Sequence, residues 1–229
     1  MRLASNTVHV RDSSGLGTMQ STILDVYESV VLSRIFDRPD PVVIDVGANI
    51  GQFTNAVKLF YPGARIVAFE PDPDVFLDLQ TNTARLGSID VRNIALGARS
   101  GVQTFNRNVL SGMSSFRPVE DPRRLRGTIE VVVEPLDEVI DESVSPDLVK
   151  IDVEGYELET LQGATKTLRR TRFLLIELSL NRPSGITNLE VIRALADIAP
   201  GARIVRFGRP LGDPVRPEGQ DALIDLNSF

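Results

Sequence analysis

Val42-Val43-Ile44-Asp45-Val46-Gly47-Ala48-Asn49-Ile50-Gly51 is the stretch that decides the fold of this chain. Val42 to Val46, apolar except for Asp45, predict a strand buried on both faces, as parallel strands are. Gly47 and Gly51 then predict a turn whose backbone can leave the usual conformations and approach a ligand closely. A second apolar run, Arg65-Ile66-Val67-Ala68-Phe69, ends in Glu70, which stands 23 positions after Gly47. That is close to the roughly 20-residue spacing at which a carboxylate on the next strand meets ribose hydroxyls. Strand, glycine turn, helix and acidic strand end together describe a nucleotide-cofactor cradle.

The residues between the glycines bear on which cofactor it holds. A pyrophosphate fingerprint runs Gly-x-Gly-x-x-Gly so that a helix N-terminus faces the phosphates. Here Asn49 and Gln52 replace the second and third glycines. Asp45 would put a carboxylate near the cofactor, unfavourable beside a pyrophosphate and suited to the cationic amino-acid end of S-adenosylmethionine. A methyl-donor site leads, a dinucleotide site follows, and a purely structural turn stays open.

Composition narrows the classes. The chain has 229 residues, 31 acidic against 25 basic, for a net charge of −6. That length suits one domain with a real core, and the charge offers nucleic acid no general attraction. Arg123, Arg124 and Arg126 cluster locally and are expected on a solvated loop, with substrate contact as the alternative. No cysteine is present, which removes disulfides and thiol chemistry, and His9 is the only histidine. No apolar run approaches the roughly 18 residues of a membrane span, and Met1 to Gly17 lack the apolar core of a signal peptide. Cytoplasmic location is the expectation.

Along the chain, residues 1–38 are expected to form a polar arm and a helix over 21–36, with the principal domain at 39–229. Helices are predicted over 51–60, 74–86, 158–168 and 189–199, and strands over 91–96, 148–153 and 173–178. Residues 98–140 break the alternation with strand-like pieces at 102–106 and 129–133, predicting a hairpin insertion near the ligand-binding ends of the strands. A closing pair, 204–207 and 222–226, would supply an antiparallel edge. The class is α/β, a Rossmann-like, doubly wound sheet of seven strands.

A second constellation, Lys150-Ile151-Asp152-Val153-Glu154-Gly155-Tyr156-Glu157, carries a buried strand straight into carboxylates. Such groups are costly to bury unpaired, so their place at a strand's C-terminal end suggests function. Glu177 ends the next strand, and Asp152, Glu154 and Glu177 could converge across the two. Lys150 is expected to pair with one of these acids, and Glu157 to complement the dipole of the following helix. With histidine confined to His9, these three acids are the candidates for binding and deprotonating a hydroxyl. Asp152 and Glu177 are also hard oxygen ligands suited to magnesium, which could lower the pKa of a bound hydroxyl.

These two motifs, in this order and at this separation, resemble the FkbM family of S-adenosylmethionine-dependent O-methyltransferases. Phe69-Glu70-Pro71, Asn93-Ile94-Ala95-Leu96-Gly97 and Leu136-Asp137 support the likeness, which covers roughly residues 25–180. The resemblance implies a class I methyltransferase fold and acceptors that are hydroxyls of sugars or secondary metabolites. It also implies a cofactor site containing Asp45, Gly47, Ala48, Asn49, Gly51, Phe53, Thr54, Glu70, Pro71, Asn93 and Ala95. Tyr27-Glu28, on the first helix, resembles a pair often seen before the cofactor strand and is expected to cover the cofactor. The partner is then a small-molecule acceptor, with a homodimer left open. The competing functions are an NAD(P)-dependent oxidoreductase and a non-catalytic binding protein built on a cofactor fold.

Overall fold

The computed structural model describes residues 35–119, 121–178, 188–207 and 220–227. Residues 1–34, with His9, Tyr27, Glu28 and all but the end of the helix expected over 21–36, lie outside them; Ile35 and Phe36, the expected end of that helix, are described and are not helical. Strand β1 (Val42–Val46) is central, pairing in parallel with β2 (Arg65–Phe69) on one side and β7 (Leu148–Ile151) on the other. Its flanks are both occupied and both its faces are covered, which is why its apolar run is nearly uninterrupted. The sheet continues through β3 (Ile89–Arg92), β8 (Phe173–Leu178), β10 (Gln220–Asp225) and β9 (Arg203–Phe207) in the order β3-β2-β1-β7-β8-β10-β9.

Helix α1 (Gln52–Phe60) buries Phe53, Ala56 and Val57 on one face of this sheet, beside Ile35, Phe36, Val43, Leu148 and Leu223. It ends before Pro62-Gly63, where the buried Lys58 ammonium donates to the carbonyls of Pro62 and Ala64 at 2.9 and 2.7 Å. Helix α2 (Pro73–Thr83) starts on Asp72, whose side chain accepts from the Asp74 amide. The opposite face packs Ile44, Val46, Ile151, Leu174 and Ile176 against residues of α4 (Glu157–Gln162), α5 (Thr165–Arg169) and α6 (Asn188–Ile198). The helix expected over 158–168 is therefore two short ones. Gly163 ends the first, and a Cβ there would stand 1.9 Å from the Gly97 carbonyl oxygen, so the break follows a close tertiary approach.

Two expected elements are rearranged. The strand expected over 91–96 bends at Asn93, whose side chain donates to the carbonyls of Glu70 and Pro71. Beyond the bend, β4 (Ala95–Leu96) joins β5 (Gly101–Asn108) and β6 (Leu125–Glu134) in a separate three-stranded sheet. The single-turn helix α3 (Leu136–Val139) leads back to β7. The closing pair also departs from the expected antiparallel edge: β10 runs antiparallel between β8 and β9. Ala222 and Leu223 of β10 are fully buried while most of β9 is exposed, so the second strand of the pair is the one drawn inside. Among the described residues no helix is long and apolar enough to cross a membrane.

Candidate active site

The turn after β1 is built from left-handed residues, Gly47 at φ 76°, Asn49 at 49° and Gly51 at 89°. Each amide from 47 to 51 meets a protein acceptor. Gly47 and Ala48 donate to the Phe69 carbonyl, Asn49 to a Glu70 carboxylate oxygen, Ile50 to the Asn49 side chain and Gly51 to the Ala48 carbonyl. A pyrophosphate, which needs such amides as donors, has none to take from this turn. Gly47 has a packing reason too, since a Cβ would lie 1.9 Å from the Asp152 carbonyl oxygen. The turn and the acid-bearing loop therefore touch backbone to backbone.

Glu70 sits at the other side of the turn, 7% exposed. Its two oxygens accept the amides of Asn49 at 3.0 Å and Asp72 at 2.9 Å. Burial pushes this carboxyl up to about 7, reinforced by the neighbouring Asp72 and opposed by the two amide donors and Lys150. Each carboxylate oxygen retains a lone pair for a further donor such as a hydroxyl.

Between the turn and the acids lies a cleft of about 310 Å³. Gly47, Ala48, Asn49, Phe53, Glu70, Pro71 and Ala95 line one part of it, together with Ile94 and Leu96. Asp152, Glu154 and Glu177 line the other, with carboxylate oxygens all within 4.8 Å of one another. The C-terminal ends of the adjacent strands β7 and β8 bring them together. Glu154 adopts φ 53°, unusual for a residue with a side chain.

Lys150 joins the two halves. Its ammonium, on a side chain 12% exposed, lies 3.5 Å from Asp45, 3.4 Å from Asp152 and 3.1 Å from the Gly47 carbonyl. Burial works against its charge, but Asp152 and Asp45, with Asp221 beyond, outweigh burial and hold its pKa above the ordinary lysine range.

Several residues expected at the cofactor lie outside the cleft lining. Asp45 and Thr54 are fully buried beneath the turn, bonded to each other at 2.7 Å, and neither lines the cleft. Asp45 faces α1 from the middle of β1, so the protein's own Lys150 and Thr54 meet its charge. Gly51 caps α1, and the Asn93 side chain braces the backbone behind Glu70. Glu157 accepts the Gly155 amide at the start of α4. Arg123 pairs with Asp121 at 2.9 Å, and none of Arg123, Arg124 and Arg126 lines the cleft.

The cleft also takes in residues that the sequence motifs do not mark. Ser111–Met113, a 3₁₀ turn in the hairpin loop, and Ser114 close one side with Phe116, beside Tyr156 of the second motif. Asp221 lines it from β10, where it stands in register with Glu177. Only the place of the 98–140 insertion at the ligand end of the sheet hinted at the first group. Asp221 depended on the unexpected position of β10.

A parallel sheet with one antiparallel strand next to its edge, and a glycine turn and acids at its C-terminal ends, defines a class I methyltransferase. The crystal structure of an rRNA methylase from Streptococcus thermophilus shares the fold, with a TM-score of 0.51 over 96% of this chain and 100% of that one at 11% identity. Residues 45–198 match the methyltransferase FkbM domain, and the chain belongs to that family of enzymes. It is 30% identical over 173 residues to the hexuronic acid methyltransferase AglP of Haloferax volcanii, covering 74% of this chain and 67% of that one. It is 27% identical over 197 residues to the 2-O-methyltransferase NoeI of Sinorhizobium fredii, covering 80% and 79% respectively.

Proposed function

We propose that this methyltransferase uses S-adenosylmethionine to methylate a hydroxyl of a sugar or secondary-metabolite unit. The observation that carries the cofactor reading is the turn at 47–51, whose amides are all engaged within the protein while Glu70 faces the cleft beside them. A carboxylate acceptor beside a turn with no spare amide donor suits a ribose diol on a cofactor without phosphates and speaks against a dinucleotide. The apolar Ile94, Ala95 and Leu96 offer an adenine ring a surface of matching polarity. The hydroxyl acceptor is supported by the two relatives, one acting on a hexuronic acid and the other a 2-O-methyltransferase.

Bound in the cleft, S-adenosylmethionine supplies an activated methyl group on a good leaving group. One carboxylate of the Asp152, Glu154 and Glu177 group accepts the hydrogen bond of the acceptor hydroxyl and takes up its proton as the methyl is transferred, and the other two orient the acceptor through its neighbouring hydroxyls. Lys150 holds the Asp152 carboxylate against the turn, fixing the separation of the two half-sites. The carboxylates also suit magnesium, with Asp152 and Glu177 as its holders, and this second reading rests on their 4.8 Å cluster.

The test is transfer of an isotope-labelled methyl from S-adenosylmethionine to a panel of uronic-acid and neutral glycosides, with and without EDTA. Label in a glycoside ether supports the proposal, and chelation distinguishes a base from a magnesium site. Label in nitrogen or carbon positions only would overturn O-methylation.

A further inference from the structure

We infer that Ser115, on the hairpin loop, is a positioning residue that holds Glu154 in its left-handed conformation and so keeps its carboxylate with Asp152 and Glu177. Ser115 itself does not line the cleft. Its hydroxyl, on a residue 6% exposed, donates to the Glu154 carbonyl at 2.6 Å and accepts the Arg117 amide at 3.1 Å. Arg117 completes the clamp: its Nε donates to the Gly155 carbonyl at 2.9 Å, and its Nη2 pairs with Glu159 at 2.7 Å. Successive carbonyls of the acid loop are thus gripped by one short segment of the insertion.

Such a grip has a physical purpose at this position. A non-glycine residue at φ 53° is disfavoured by its Cβ and persists only where its surroundings over-determine it. Released, the Glu154 peptide would relax toward ordinary φ values and turn its side chain away from the cluster. The Ser115 backbone is itself anchored, exchanging hydrogen bonds with Asn106 of β5 at 2.8 and 3.0 Å. One residue along β5 from Asn106, Arg107 ties the same end of the hairpin to the cofactor side, pairing with Asp72 at 2.7 Å and with Asp74. The insertion therefore spans both half-sites and sets the geometry of one catalytic candidate without touching a substrate.

The inference rests on the carboxylate reading of the site, and its test needs neither cofactor nor acceptor. In the full chain labelled with ¹³C and ¹⁵N, the one-bond Cα–Hα coupling of Glu154 reports the sign of its φ. Ser115→Ala should lose the positive-φ value, speed amide exchange at Glu154 to Tyr156 by at least about tenfold, and lower Tm by about 3–6 °C. Ser115→Thr, which keeps the hydroxyl, should restore all three. In a Glu154→Gly background, where glycine holds positive φ unaided, Ser115→Ala should cost less than half as much in Tm. That background also keeps the cycle measurable should Ser115→Ala alone fold poorly. An unchanged Glu154 coupling in Ser115→Ala, or an equal loss of Tm in both backgrounds, would overturn the clamp. Calorimetry with S-adenosylhomocysteine separates the two levels, since wild type that fails to bind it refutes the cofactor reading and leaves these measurements standing.

Discussion

Glu70 accepts two backbone amides while almost excluded from water, so its carboxylate is aimed before any ligand arrives. If its outward lone pairs receive the ribose hydroxyls, Glu70→Ala should weaken S-adenosylhomocysteine binding by about ten- to a hundredfold, the loss of about 1.5–3 kcal/mol from charged hydrogen bonds. Calorimetry on the folded variant measures this, and unchanged affinity would remove Glu70 from the site. The same carboxyl gives the fold a pH signature. Raised from 4.5 to about 7 by burial, it contributes stability that is fully present below the lower value and lost as pH rises through the upper one. The loss is on the order of 3 kcal/mol. Urea unfolding at either end of that window should show a steeper fall in wild type than in Glu70→Gln, and equal slopes would refute the shift. Across the cleft, Asp152→Asn keeps the shape and removes the charge. On whichever glycoside accepts the label, turnover should drop by at least ~10²-fold while S-adenosylhomocysteine affinity stays nearly intact; near-wild-type turnover would return Asp152 to a structural role.

At the scale of elements, the site depends on close backbone approaches that only glycine permits. Gly163→Ala would drive a Cβ into the Gly97 carbonyl and force apart the α4–α5 junction and the loop after β4. The expected cost is about 1–3 kcal/mol, or a fall in Tm of roughly 2–10 °C, which calorimetric melting would register. An unchanged Tm would mean that the junction yields without penalty. This junction also explains why one expected helix became two. Local periodicity from 158 to 168 is helical, and nothing within that window announces that Gly97 will press against Gly163. The bend at Asn93 has a similar origin, because the carbonyls it binds belong to residues 70 and 71. By contrast β1, its turn, α1 and β2 were legible as a unit, since their apolar runs and glycines act on near neighbours.

For the molecule as a whole, the two sheets divide the work. The seven-stranded sheet brings the turn, Glu70 and the carboxylates to its C-terminal ends, and the smaller sheet carries the loop that closes the cleft and grips Glu154. Convergence of Asp152, Glu154 and Glu177 could be foreseen because consecutive parallel strands place their ends side by side. Asp221 could not, as its place follows from β10 entering between β8 and β9, a long-range pairing chosen by burial. Nor could the burial of Asp45 and Thr54 beneath the turn, since one motif serves equally for a residue lining the cleft and one packed under it. The central claim is that this cleft takes a nucleoside cofactor without phosphates, and parallel calorimetric titration of the whole chain with S-adenosylhomocysteine and NAD tests it most directly. Saturable one-to-one binding of S-adenosylhomocysteine, with no heat from NAD, is the result predicted; binding of NAD without S-adenosylhomocysteine would contradict it.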